Sequence, residues 1–348
     1  MPLLPEHSAL QHERAPRPLP LFLELVREVS AGDPELARAA LAGLRAYERA
    51  ARPSPPPARP EIERVRGAAL RDHGGSGPPA LLVPSLINPP RVLDLDEEVS
   101  LTAAIARMGR RVLLLDWGSA DERSDLSVAA HVEELLIPLL SRIGNPVALI
   151  GYCLGGTMAI AAANHAAVES VVTIAAPWHF NRYPGDSRRA LADIWRNSEA
   201  AARQLGALPM EVLQAAFWSI DPHRTVRKFA DFERLAPSTH QAHRFVELED
   251  WANGGESLPY PAAKELIEAM FGEDRPGQNA WCVGGEPITD LLGVPSLHLV
   301  AEHDRIAPAA TAPVGKRVII PSGHVGMIVG SSRERLHDAL RLFLEVGR

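Results

Sequence analysis

Short unbroken apolar runs alternate along this chain with longer stretches in which apolar residues return every three or four positions. The runs lie at residues 80–83, 111–117, 147–152, 171–176, 296–300 and 317–320. Each has the length of a strand, and an unbroken apolar run suits a strand buried on both faces. Between and after them, residues 97–108, 128–143, 155–165 and 333–346 carry helical spacing. Strands alternating with helices predict an α/β fold: a mostly parallel sheet with helices on both faces. In such a sheet ligands bind beyond the carboxyl ends of the strands.

Two regions depart from this rhythm. Residues 18–52 predict two helices, one with Leu21, Leu23, Leu25 and Val26, the other with Leu36, Leu41, Leu44 and Tyr47. Asp33-Pro34 is a good start for the second, with Pro in the first turn. A stiff linker follows in the proline-rich stretch 52–57, then a glycine-rich stretch at 73–77. The second departure, 178–293, contains five of the six tryptophans and six of the eight phenylalanines. It predicts a mostly helical cap whose aromatics fill its own core, line an apolar channel, or do both. The expected division is therefore 1–66, an N-terminal helical segment and linker; 67–177 with 294–348, the sheet domain; and 178–293, the cap insertion.

Composition narrows the function. The net charge of −7 argues against nucleic-acid binding, which needs a basic face. With only Cys153 and Cys282, neither a disulfide framework nor a cysteine-based metal site is expected. No apolar run approaches the ~20 residues of a membrane span, and the start carries no stretch of signal-peptide length. The expectation is a soluble, cytoplasmic protein without transmembrane segment, metal or cofactor.

The chemistry centres on Gly151-Tyr152-Cys153-Leu154-Gly155, a glycine–x–nucleophile–x–glycine frame between an apolar strand and a helix of small residues. Such a frame holds a nucleophile on a sharp strand-to-helix turn, and the small flanking residues let strand and helix approach. The helix start lends positive dipole to the sulfur. Cys282 has no such frame and reads as a bystander. In this architecture the acid and the histidine follow late strands. The run at 296–300 leads into Ala301-Glu302-His303-Asp304, and that at 317–320 into Pro321-Ser322-Gly323-His324. Asp304 and His324 are the candidates, with Glu302 and Asp116 as rival acids and His303 as rival histidine. An oxyanion hole needs two backbone N–H groups. Leu154 would give one and the loop after 80–83 the other, through Leu86 or Ile87. Pro84 has no N–H to give.

At these residues the chain resembles the polyhydroxyalkanoate synthases. Val83-Pro84-Ser85-Leu86-Ile87-Asn88 with Leu93-Asp94-Leu95, Leu115-Asp116-Trp117-Gly118, Gly151-Tyr152-Cys153-Leu154-Gly155-Gly156, Glu302-His303-Asp304-Arg305-Ile306-Ala307-Pro308 and Ser322-Gly323-His324-Val325-Gly326 are similar to that family's motifs. Phe245 to Trp251 is a weaker match within the cap. The first 60 residues and most of the cap have no counterpart, and Pro89-Pro90-Arg91 replaces a basic-aromatic stretch. The resemblance implies an α/β-hydrolase fold, catalytic Cys153, Asp304 and His324, and an acyltransferase that polymerises 3-hydroxyacyl-coenzyme A through an acyl-cysteine. It also implies a second synthase subunit or a homodimer, and a polyester granule surface. The alternatives are a cysteine-dependent hydrolase of the same fold (an acyl-coenzyme A thioesterase or intracellular polyester depolymerase) and a non-catalytic granule-associated protein.

Overall fold

The computed structural model describes residues 15–52 and 57–346. The opening residues and most of the proline-rich linker lie outside the described residues. Two compact units are present, one combining 15–52 with 217–254 and the other 57–216 with 255–346.

The larger unit is built on an eight-stranded sheet. Its strands are β1 (Glu61–Val65), β2 (Ala68–Asp72), β3 (Pro79–Val83), β4 (Arg111–Asp116), β5 (Ala148–Tyr152), β6 (Ser170–Ile174), β7 (Ser296–Ala301) and β8 (Arg317–Ile320). Their order is β1-β2-β4-β3-β5-β6-β7-β8. β1 and β2 run antiparallel to their neighbours and the other six strands are mutually parallel. The six parallel strands coincide with the six apolar runs. β3, β5 and β6 are buried almost end to end, as strands covered on both faces must be. β1 and β2 are the strands that the apolar pattern did not mark. β1 is mostly exposed and carries Glu61, Glu63 and Arg64, so its hydropathy reads as a loop.

Local signals set the flanking helices. Ser100 caps the helix Leu101–Arg107 by accepting from Ala103 N–H at 2.9 Å, so the helix begins after the acidic stretch that the spacing had included. The segment 128–143 is helical throughout but widens into a π-helical turn at His131–Leu136. The helix Leu154–His165 is buried from Leu154 to Ala162 and packs on β5 and β6, which explains its small residues.

The smaller unit joins segments distant in sequence. Helices Leu19–Val29 and Pro34–Arg49 pack with helices Pro222–Phe232 and His240–Asn253 around Phe22, Tyr47, Trp218 and Phe229. Asp33 caps the second helix as its Asp-Pro pair predicts, accepting from Leu36 N–H at 3.0 Å. Gly43 permits the closest approach: a Cβ there would lie 1.9 Å from the Phe229 carbonyl oxygen. The aromatic wealth of 178–293 is thus divided. Trp218, Phe229 and Phe232 serve this core, whereas Trp178, Phe180 and Trp281 are buried in the larger unit.

Among the described residues no helix is long and apolar enough to cross a membrane.

Candidate active site

Parallel register brings the carboxyl ends of the central strands to one edge. Val83 pairs with Gly151, Tyr152 with Ile174, and Ala301 with Ile320. The loops that leave these strands therefore meet at that edge, and they carry the residues singled out by sequence.

Cys153 stands between β5 and the helix Leu154–His165, with φ 56° and ψ −131°. A side-chain-bearing residue is strained there, and strain of this kind costs about 1–3 kcal/mol. The surroundings enforce it. Cys153 N–H donates to Ile174 O at 2.9 Å, and Cys153 O accepts from Gly156 N–H at 2.8 Å. Both flanking glycines are required by contact. A Cβ on Gly151 would lie 2.3 Å from Gly156 Cα, and one on Gly155 would lie 2.1 Å from Val83 O. The frame is a steric requirement of the turn.

His324 and Asp304 lie together beside Cys153. His324 Nδ1–H donates to Asp304 Oδ2 at 2.7 Å. The other oxygen, Asp304 Oδ1, accepts from Ile306 N–H and Ala307 N–H, both at 2.8 Å. The carboxylate is buried, and both of its oxygens are engaged. With Nδ1 committed to Asp304, Nε2 is the ring nitrogen left for another partner. Burial by itself would lower the imidazole's pKa. The charges of Cys153 and Asp304, and the hydrogen bonds to both, overcome this and raise it from 6.5 to about 10. The arrangement favours the protonated form of the imidazole.

The rivals lie elsewhere. Glu302 and His303 are largely exposed and face each other at 3.9 Å, and Asp116 pairs with Arg71 at 3.2 Å. Cys282 is exposed, whereas Cys153 is half-buried. Leu86 and Leu154 are buried, and among the described residues neither N–H has an acceptor. Ile87 N–H is turned to Ser85 Oγ at 3.4 Å.

Two tyrosines complete the surroundings and were not singled out by sequence. The Tyr152 ring lies 5.2 Å from the His324 ring, at an interplanar angle of 38°. Tyr183, in the loop after β6, packs on Phe271 at 4.8 Å. Burial pushes both phenols well above their ordinary range, reinforced by the charges of Cys153 and Asp304. Tyr152 had been visible only as the variable position of the glycine frame. Nothing in the sequence marks Tyr183. Phe271 also lines a groove of about 280 Å³ between the helix Gly185–Leu205 and the π-helical segment Glu265–Gly272, together with Ala192, Ile267, Arg188 and Arg189.

Comparison with known proteins agrees with this architecture. The alpha/beta hydrolase family model matches residues 73–339. The poly(3-hydroxyalkanoate) polymerase subunit PhaC of Haloferax mediterranei is 27% identical over 274 residues, 73% of this chain and 55% of that protein. Its counterpart in Haloarcula marismortui is 25% identical over 285 residues, 76% of this chain and 60% of that one. The chain thus spans little more than half the length of these relatives. A solved hydrolase from Pseudomonas aeruginosa superposes with a TM-score of 0.51 at 19% identity, covering 80% of this chain and 94% of its own, a likeness of fold. The chain belongs to the alpha/beta hydrolase family and is a relative of the poly(3-hydroxyalkanoate) polymerases.

Proposed function

We propose that this protein is an acyltransferase that takes a 3-hydroxyacyl group from coenzyme A onto Cys153 and passes it to the hydroxyl of a growing polyester. The observation that carries this reading is the buried His324–Asp304 pair at 2.7 Å, with Cys153 among the groups that act on the imidazole, in a chain related to polymerase subunits. The Cys153 thiolate attacks the thioester carbonyl. The oxyanion that forms is met by the N–H groups of Leu154 and Leu86. The carbon–sulfur bond to coenzyme A breaks, and the His324 imidazolium protonates the departing thiolate. His324, now neutral, takes the proton of the incoming hydroxyl as its oxygen attacks the acyl-cysteine. The ester forms, and the Cys153 thiolate leaves beside a restored imidazolium. Asp304 accepts hydrogen bonds at both oxygens, so its part is to hold and stabilise His324 while His324 acts as the base.

The residues of 178–293 that belong to the larger unit would cover the site and keep water from the acyl-cysteine. A second synthase subunit or a granule surface would open that cover. The same site would act as a thioesterase if water reached the intermediate. Incubation of the purified protein with 3-hydroxybutyryl-coenzyme A, measuring coenzyme A release, polymer and free acid, tests the proposal. Polymer formed in step with coenzyme A, with or without a candidate second subunit, supports it. Free 3-hydroxyacid formed in step with coenzyme A under every condition makes the protein a hydrolase. No release at all, with Cys153 slow to alkylate, makes it a non-catalytic granule protein.

A further inference from the structure

Tyr152 is the last residue of β5, a strand buried along its whole length and paired on both sides. Side chains alternate along a strand, so Tyr152 leaves the face opposite Gly151. Gly151 is pressed against the helix that follows Cys153, and Tyr152 is directed to the histidine loop. Its ring centre lies 5.2 Å from that of His324, with the two rings tilted by 38°. The residue is 4% exposed, and its hydroxyl is buried without a hydrogen-bond partner among the described residues. A buried hydroxyl with no partner is destabilising, so hydrogen bonding does not account for the tyrosine. The contact that the residue does make is through its ring.

An aromatic face attracts a cation within ~6 Å of its centre, and does so more strongly where water is excluded. His324 meets Cys153 from the strand-to-helix turn, Asp304 from the loop after β7, and Tyr152 from β5. We infer that Tyr152 is a positioning residue that holds the His324 ring and favours its imidazolium form through the face of its own ring. The inference rests on the thiol–imidazole pairing of the proposed reading. Because the ring is set by the sheet, it fixes the imidazole before any substrate arrives.

The test replaces Tyr152 in the full chain and follows His324 by NMR titration, the signal being assigned by its loss in His324→Gln. Tyr152→Phe keeps the ring, and mono-, di- and trifluorophenylalanine at position 152 weaken its face stepwise at nearly constant size. The iodoacetamide rate at Cys153 is measured against pH in the same proteins. Tyr152→Phe is expected to hold the His324 midpoint and to melt no lower than the parent. The fluorinated series should lower the midpoint progressively, by about 1 pH unit or tenfold in acid constant at three fluorines. Fluorinated proteins that match the phenylalanine protein would overturn the inference. So would a Tyr152→Phe protein shifted as far as the trifluoro one, since the hydroxyl would then be the determinant. A parent midpoint near 6.5 would overturn the thiolate–imidazolium pair and this inference together. Absence of polymer would overturn the synthase reading alone, because the titration uses no substrate.

Discussion

Gly155→Ala isolates the geometry of the proposed oxyanion hole from the reactivity of the sulfur. The added methyl group would lie 2.1 Å from Val83 O, 2.5 Å from Pro84 O and 2.7 Å from Pro84 C. All three are backbone atoms at the end of β3, so no side chain can turn aside. Restoring ordinary contact requires the β3 end and the turn to separate by about 1 Å. Leu86, the proposed second donor, is three residues from Val83 and moves with it. Overpacking of this kind costs about 1–3 kcal/mol. In a unit of this size the melting temperature should fall by roughly 2–10 °C. A 1 Å misplacement, or the loss of one oxyanion donor, costs about 10²-fold or more in turnover. The assay compares melting temperature, coenzyme A release from 3-hydroxybutyryl-coenzyme A and alkylation of Cys153 by iodoacetamide. Turnover should fall by about two orders of magnitude while alkylation, which develops no oxyanion, stays within a few-fold. Gly293→Ala is the control: its Cβ would meet nothing within 4 Å. If Gly155→Ala folds and turns over at the parent rate, the β3 loop does not supply the second donor.

Cys153→Ala should fold and be inactive. In the parent at pH 6, iodoacetamide should label half-buried Cys153 ahead of exposed Cys282, and the reverse order, read by peptide mass spectrometry, would remove the thiolate. His324→Ala should slow acylation of Cys153 by at least about 10²-fold in a single-turnover measurement of coenzyme A release. Asp304→Asn should retain the fold yet lower the His324 midpoint in an NMR titration, because the charge facing Nδ1 is gone. His131 is held near a pKa of about 4 against 6.5, first by burial and then by the charge of Arg123. The unfolded chain therefore binds this proton first as the pH falls. The stability tied to neutral His131 is complete above about 6.5 and lost as the pH drops through about 4. His131→Gln should flatten that acid limb in urea melts at pH 4.5 and 7.

Much of the sheet could be read directly from hydropathy, because a strand buried on both faces can hold little but apolar residues. The position of Cys153 was legible for a steric reason. Only glycine fits at 151 and 155, so the turn writes itself into the sequence as a spacing. Asp304 and His324 were legible as candidates just beyond the two last apolar runs, with Glu302, Asp116 and His303 as rivals. Glu302 and His303 have the same chemistry, and only the tertiary structure leaves them exposed and turns Asp304 inward onto the N–H groups of Ile306 and Ala307.

What the chain's own pattern determined is therefore local: where apolar strands run, where glycine must stand, and which residue types follow which strand. Three features had to wait for the folded structure. The exposed strand β1 gains its place from pairing with β2, a partner that hydropathy does not reveal. Helices 19–29 and 34–49 bury their apolar faces on helices of 222–253, a union of segments nearly two hundred residues apart that no local spacing encodes. Tyr152 and Tyr183 gained their place beside the site because parallel register aligns the ends of β3, β5 and β6. Periodicity records which face of an element is apolar, whereas the partner of that face is chosen by long-range packing, and there the tertiary structure decides.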